Sequence, residues 1–207
     1  VGGVRWYNRG KKGEKMRKFV PEGAKLIPPE GELKFTGEVY EVFQWPEPMF
    51  DGTTATFEML RRPDTVKIVA VKDGKVVVTY QRQPRADWFY DFPGGKVDAE
   101  DADELVAAKR EMMEETGMRF RDWKLVEAHQ PFRKIDWMVY TFVASGFIDQ
   151  GEQKLDSGEE IQVLELDWEE VLRLSKGKQT RYLEFPGMEQ LRSVEDLLAL
   201  PEIYRYD

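Results

Sequence analysis

The chain has no cysteine, and His129 is the one histidine among its 207 residues. Disulfides, thiol nucleophiles and thiolate zinc sites are therefore excluded, as is any metal centre built from several imidazoles. A Ser-His-Asp triad would have to use His129, and no nucleophile-elbow sequence accompanies it. No apolar run approaches the roughly twenty residues of a membrane-spanning helix, and no signal-peptide pattern is recognised. A cytoplasmic protein without a membrane partner is the expectation. Positive charge is in deficit: 31 Lys and Arg against 39 Asp and Glu leave a formal net charge of −8. That balance argues against a general nucleic-acid partner. Residues 1–18 are the exception, with Arg5, Arg9, Lys11, Lys12, Lys15, Arg17 and Lys18 facing only Glu14. Hydrolytic chemistry in such a chain has to come from carboxylates and metal ions.

What is present is an acidic segment beside a glycine turn. Phe92-Pro93-Gly94-Gly95-Lys96-Val97 precedes Arg110-Glu111-Met112-Met113-Glu114-Glu115-Thr116-Gly117. On a helix, Glu111 and Glu115 lie roughly 40° apart and Glu114 falls within about 100° of both. Three like charges this close repel one another and weaken an isolated helix. A solvated acidic face accounts for most clusters of this kind. The alternative is that hard cations neutralise the carboxylates. Mg²⁺ takes one or two protein carboxylates, several waters and substrate phosphate oxygens. Leu105, Ala108 and Met112 form an apolar stripe, so the carboxylates border a packed face. The glycines permit a sharp turn with exposed backbone carbonyls, and Arg110 can orient a neighbouring carboxylate.

Along the chain, residues 1–32 are rich in Gly, Pro and Lys and read as a basic, loosely structured segment. Period-two alternation predicts strands at 39–45 and 54–60, joined by Asp51-Gly52, and at 65–71 and 75–82, joined by Asp73-Gly74. Asp101 followed by Glu104 reads as a capping box that starts the acidic helix near Ala102. Further strands are expected at 124–128, 137–147 and 161–167. Helices are expected at 168–176, closed by Gly177, and at 188–200. Strands outnumber helices and many are joined by hairpins, which indicates an α+β fold.

The segment from Gly95 to Met118 resembles the Nudix hydrolase signature, G-x5-E-x7-R-E-U-x-E-E-x-G-U, with U aliphatic. Arg110 to Met118 matches at every specified position. The first half departs: Asp101 stands where the family has glutamate, and one extra residue precedes Arg110. Either Glu100 or Asp101 replaces that glutamate. The order of Asp51-Gly52-Thr53-Thr54-Ala55-Thr56-Phe57-Glu58, Arg61-Arg62-Pro63, Gln81-Arg82-Gln83-Pro84 and the Phe-Pro-Gly-Gly turn is similar to that of ADP-ribose pyrophosphatase-like members.

The resemblance implies an α/β/α sandwich around a mixed sheet in residues 63–207. A small N-terminal β subdomain in 33–62 would build a homodimer. It implies hydrolysis of a nucleoside diphosphate linked to another moiety, with ADP-ribose giving AMP and ribose 5-phosphate. Nucleotide sugars or dinucleotides are the alternative substrates, and a non-catalytic module binding ADP-ribose-like ligands is the alternative of another class. Glu111, Glu115, Glu114 and the Gly94 carbonyl would hold Mg²⁺, or Mn²⁺ in its place, with Arg110 in support. In the acidic loop Asp156-Ser157-Gly158-Glu159-Glu160, Glu159 is implied as general base and Glu160 as the next choice. Arg82, Arg62 and Arg61 are implied as diphosphate or ribose contacts, and Phe57 as an adenine-stacking ring. Phe57 also reads as an ordinary strand core residue, and Arg82 as a surface arginine.

Overall fold

The computed structural model describes residues 17–206. The basic residues 1–16 lie outside the described residues. From 17 to 31 the chain forms neither helix nor strand, yet it is anchored. Lys18 N–H donates to Glu104, Lys25 N–H to Gln130 and Ile27 N–H to Asp136. Arg17 grips Asp64 through Nε and Nη2, at 2.6 and 2.8 Å, and Asp136 through Nη1 at 2.6 Å. Burial opposes the Arg17 charge, but Asp64 and Asp136 hold its proton more tightly than in a free guanidinium.

Two sheets follow. The smaller takes β1 (Glu32–Thr36), β2 (Glu41–Pro48) and β3 (Thr54–Arg61), all antiparallel, and is completed by the short β9 (Ile135–Asp136), parallel to β3. The hairpin expected around Asp51-Gly52 is present, with Trp45 opposite Phe57. Strand β1, which has little apolar alternation and is exposed throughout, was not legible in the sequence.

The larger sheet contains β4 (Thr65–Lys72), β5 (Lys75–Arg82), β8 (Met118–His129), β10 (Val139–Gln150) and β11 (Glu160–Leu166), in the order β11-β5-β4-β10-β8. Strand β4 runs parallel to β10, and the other pairs on this path are antiparallel, so the sheet is mixed. The short β6 (Phe89–Asp91) and β7 (Gly94–Lys96) add to β5 and β4. Strand β4 is buried along nearly its whole length, as a central strand covered on both faces must be. Val66, Ile68 and Ala70 pack toward Ala107, Ala108 and Met112 of α1 (Glu104–Thr116). Val69 and Val71 pack toward Trp168 and Val171 of α2 (Trp168–Ser175) and Val194 and Leu197 of α3 (Val194–Ala199). Helices on both faces of a mixed sheet make the α/β/α sandwich.

Three sequence expectations need correction. The acidic helix does not start from an Asp101 cap: Asp103 is the N-cap and accepts from Val106 N–H at 2.9 Å. Asp101 is buried, and its carboxylate is occupied by Asp98 N–H and Arg110, which leaves it no role as a cap. The expected helix at 188–200 is a 3₁₀ turn at Met188–Gln190 followed by α3, because Ser193 restarts the helix by accepting from Asp196 N–H. The strand expected at 124–128 begins at Met118. Exposed Arg119 and Arg121 alternate there with buried Met118 and Phe120, and Arg119 pairs with Asp149 across the ladder.

Candidate active site

The site is assembled from α1 and the turn that enters β7. Met112 and Ala108 seat α1 on the sheet, which turns Glu115 and Glu111 toward Gly94 and Gly95 while Glu114 remains partly exposed. Gly94 N–H donates to Glu115 Oε2 at 2.8 Å. Both glycines are required by close approach. A Cβ on Gly94 would meet Val66 O at 2.2 Å, and one on Gly95 would meet the Glu111 carboxylate at 2.5–2.6 Å. Gly95 thus leaves a notch into which the Glu111 carboxylate fits.

Arg110 is the hub of this surface. Its Nη1 donates to Glu111 at 2.8 Å and Glu114 at 3.0 Å, and its Nε and Nη2 donate to Asp101 at 3.0 and 2.9 Å. Nη2 also reaches Lys96 O at 2.9 Å. The hydrogen bonds to Asp101, then the charge of Glu111, raise the affinity of Arg110 for its proton. Glu100 is exposed. The residue bonded to Arg110 at the irregular half of the signature is Asp101.

The carboxylates are electrostatically strained. Burial, with Glu114 and Asp98 adding repulsion, pushes Glu111 up to about 7 despite Arg110. Burial, then the charges of Glu111, Glu159 and Asp91, raises Glu115 well above the carboxylate range against the Gly94 hydrogen bond. Burial also raises Glu159, with Asp156 and Glu114 contributing. Of the two candidate loop residues, Glu159 is thus coupled to the helix cluster. Glu160 instead pairs with Arg82 in a two-bond fork, at 2.8 and 2.6 Å. Arg82, expected on a phosphate, lies at the end of β5 with Glu160 as its register partner.

Among the described residues, no three Asp, Glu, His or Cys side chains converge to enclose a metal ion by themselves. The donor set fits a different kind of site. Two mutually repelling, largely buried carboxylates beside a glycine turn suit Mg²⁺, which keeps waters and borrows oxygens from substrate phosphate. A dication there would offset both the burial and the mutual repulsion that raise the proton affinity of Glu111 and Glu115.

The contacts of the remaining candidates fall among β2, β9 and the residues flanking it. Phe57 lies 5.3 Å from the Trp45 ring, with Lys134 Nζ 3.2 Å from its centroid. Arg61 stacks 4.4 Å over Phe43 with Nε 3.8 Å from Asp136. Arg62 stacks 4.5 Å over Trp137, and its buried Nε has no hydrogen-bond partner among the described residues. His129 Nδ1 lies beside Glu127.

Sequence reasoning missed several residues. Gln153 Nε2 donates to Glu115 O at 2.5 Å and Lys154 N–H to Glu114 O at 2.8 Å, tying the acidic loop to the end of α1. Asp91, just before the Phe-Pro-Gly-Gly turn, is pushed up to about 7 by burial, with buried Lys67 opposing. Lys67 itself donates to Glu184 O. A polar residue within an apolar central strand was the available signal for Lys67. The loop around Gln153 carried none.

A NUDIX domain family model matches residues 61–185, more than half of the chain. A crystal structure described as an ADP compounds hydrolase shares the fold with a TM-score of 0.61 and 15% identity, covering 82% of this chain and 89% of that one. No curated protein sequence matches the chain. With its signature helix, glycine turn and sandwich in place, the chain belongs to the NUDIX domain family.

Proposed function

We propose that the chain hydrolyses the pyrophosphate bond of a nucleoside diphosphate linked to a second moiety, with ADP-ribose yielding AMP and ribose 5-phosphate. The observation that carries this reading is the Glu111–Glu115 pair set against Gly94 and Gly95, with Arg110 holding its outer edge. Glu111, Glu115 and Glu114, with the Gly94 carbonyl, would hold Mg²⁺, or Mn²⁺ in its place. When bound, such ions supply charge neutralisation on the diphosphate and a more acidic water. Glu159 accepts the proton of the attacking water as its oxygen bonds to one phosphorus, and the bridging oxygen leaves with the other phosphate. Burial of Glu159 raises its proton affinity in the direction a general base requires. Arg110 fixes the direction of Glu111 and Glu114. Arg61 and Arg62 contact the diphosphate or terminal ribose, and Phe57 stacks on adenine. The description of the structural neighbour as an ADP compounds hydrolase favours an adenine nucleotide.

The reading includes a homodimer formed by the β1–β3 sheet of a subdomain spanning 33–62, with the hydrolase domain at 63–207. Leu33, Phe35, Val39, Tyr40 and Phe50 are exposed there, and Phe35 is 61% exposed. Phe35→Glu should shift the molar mass by light scattering from dimer to monomer. The reading also places the protein in the cytoplasm, without a nucleic-acid or membrane partner; no described helix is long and apolar enough to cross a membrane.

The test is product release in Mg²⁺ from ADP-ribose, ADP-glucose, NADH and diadenosine polyphosphates. AMP from ADP-ribose with the highest kcat/KM supports the proposal. A higher value for a nucleotide sugar or dinucleotide replaces the substrate. Binding without turnover makes the protein a ligand-binding module.

A further inference from the structure

The geometry points to Arg82 as a positioning residue: its fork to Glu160 latches the acidic loop so that Glu159 faces the carboxylates of α1. This inference rests on the reading of Glu159 as the base. The loop between β10 and β11 is tied at both ends. At one end Gly151 N–H donates to Gly117 O at 2.8 Å, Lys154 N–H donates to Glu114 O, and Gln153 holds Glu115 O. At the other end Gly158 lies close to Pro84, where an added Cβ would be 3.2 Å from Cγ and 3.3 Å from Cδ. Beside that contact, Arg82 Nε and Nη2 reach Glu160 Oε2 and Oε1 at 2.8 and 2.6 Å.

The guanidinium has a second contact besides Glu160. It lies 5.4 Å from the Trp88 ring, and Trp88 in turn stacks on Tyr80 at 4.9 Å. A planar fork pre-oriented in this way loses little freedom on forming its two bonds. Glu159 stands one residue before β11, its N–H held by Asp156 O at 3.0 Å. With Glu160 committed to Arg82, Glu159 is left to interact with the charges of Glu114 and Glu115. A groove of about 380 Å³ lies along the latch, between Pro84 and Ala86 on one side and Gly158 and Glu159 on the other.

The pair is half exposed, at 51% and 57%, so it adds little to global stability. Its effect lies in where the loop sits, and a displacement of an ångström at a reacting group costs about a hundredfold in rate. The competing role is direct: Arg82 would leave Glu160 and grip a substrate phosphate.

The two roles separate in a mutant cycle of Arg82→Ala, Glu160→Ala, the double variant and the charge-reversed pair Arg82→Glu with Glu160→Arg. Turnover of ADP-ribose in Mg²⁺ is read as separate kcat and KM, beside hydrogen exchange over residues 153–160. For a latch, each single variant lowers kcat by about ten- to a hundredfold with KM little changed. The double variant is no worse than either single one, the reversed pair recovers part of the loss, and the loop exchanges faster in both single variants. Arg82→Ala raising KM while Glu160→Ala keeps wild-type kcat would overturn the latch, as would losses that multiply. Glu159→Gln tests the underlying reading separately: wild-type turnover there removes the base. The latch is then decided by whether loop exchange accelerates equally in the Arg82 and Glu160 variants.

Discussion

Gly94 N–H donates to Glu115 Oε2 at 2.8 Å, so the turn and α1 are joined through a carboxylate that the proposed mechanism also assigns to metal binding. Burial raises Glu115 well above the carboxylate range, and the Gly94 bond only partly offsets it. An amide is close to the carboxyl in shape and can still accept the Gly94 N–H. Glu115→Gln should therefore fold with an unchanged melting temperature and circular dichroism spectrum, while kcat falls by about 10²–10³. Wild-type turnover in that variant would remove Glu115 from the mechanism.

Gly95→Ala places a methyl group 2.5 Å from Glu111 Oε1. The expected result is displacement of the Glu111 carboxylate, with about 1–3 kcal/mol of stability lost to overpacking. Turnover should drop by about ten- to a hundredfold as the donor moves. Steady-state kinetics and urea unfolding read the two effects separately.

Arg17→Ala removes the guanidinium that Asp64 and Asp136 share, at side-chain exposures of 11% and 5%, and leaves Asp136 with Arg61 Nε at 3.8 Å. The expected loss is about 3–5 kcal/mol in urea unfolding, the usual cost of removing one partner of a buried ion pair. Replacing Arg17 should also loosen Tyr140 OH from Phe19 O, because that bond joins the same N-terminal stretch to β10. Faster hydrogen exchange over residues 17–27 would read that release.

Asp91 is raised to about 7 by burial, against the pull of Lys67, Phe92 N–H and Arg181. The folded state then keeps a proton that the unfolded chain has released above about pH 4. Its contribution to stability is full below that pH and is lost as pH rises through about 7. Asp91→Asn should flatten this decline, measured as the difference in unfolding free energy between about pH 5 and about pH 8.

The helix, the glycine turn and the hairpins could be read from the chain because each is set by neighbours in sequence. The apolar stripe at Ala108 and Met112 requires a buried face, and Asp73-Gly74 closes the β4–β5 hairpin with both residues at positive φ. What escaped depends on distant partners. Asp101 read as a helix cap, but Arg110 takes its carboxylate, and Asp103 caps the helix instead. The strands expected at 124–128 and 137–147 extend further in the structure, to Met118 and Gln150, where Arg119 and Asp149 pair across the ladder. The choice between Glu159 and Glu160 also depends on where Arg82 stands, which adjacent residues in the loop do not specify.

The central claim is that Glu111 and Glu115 beside Gly94 and Gly95 hold divalent cations against a diphosphate. The most direct measurement is anomalous diffraction from a crystal grown with Mn²⁺ and a non-hydrolysable ADP-ribose analogue. The account predicts an anomalous peak within about 2.3 Å of carboxylate oxygens of Glu111 and Glu115, bridging to the diphosphate. Ordered analogue in the cleft with no anomalous peak at those carboxylates would contradict it.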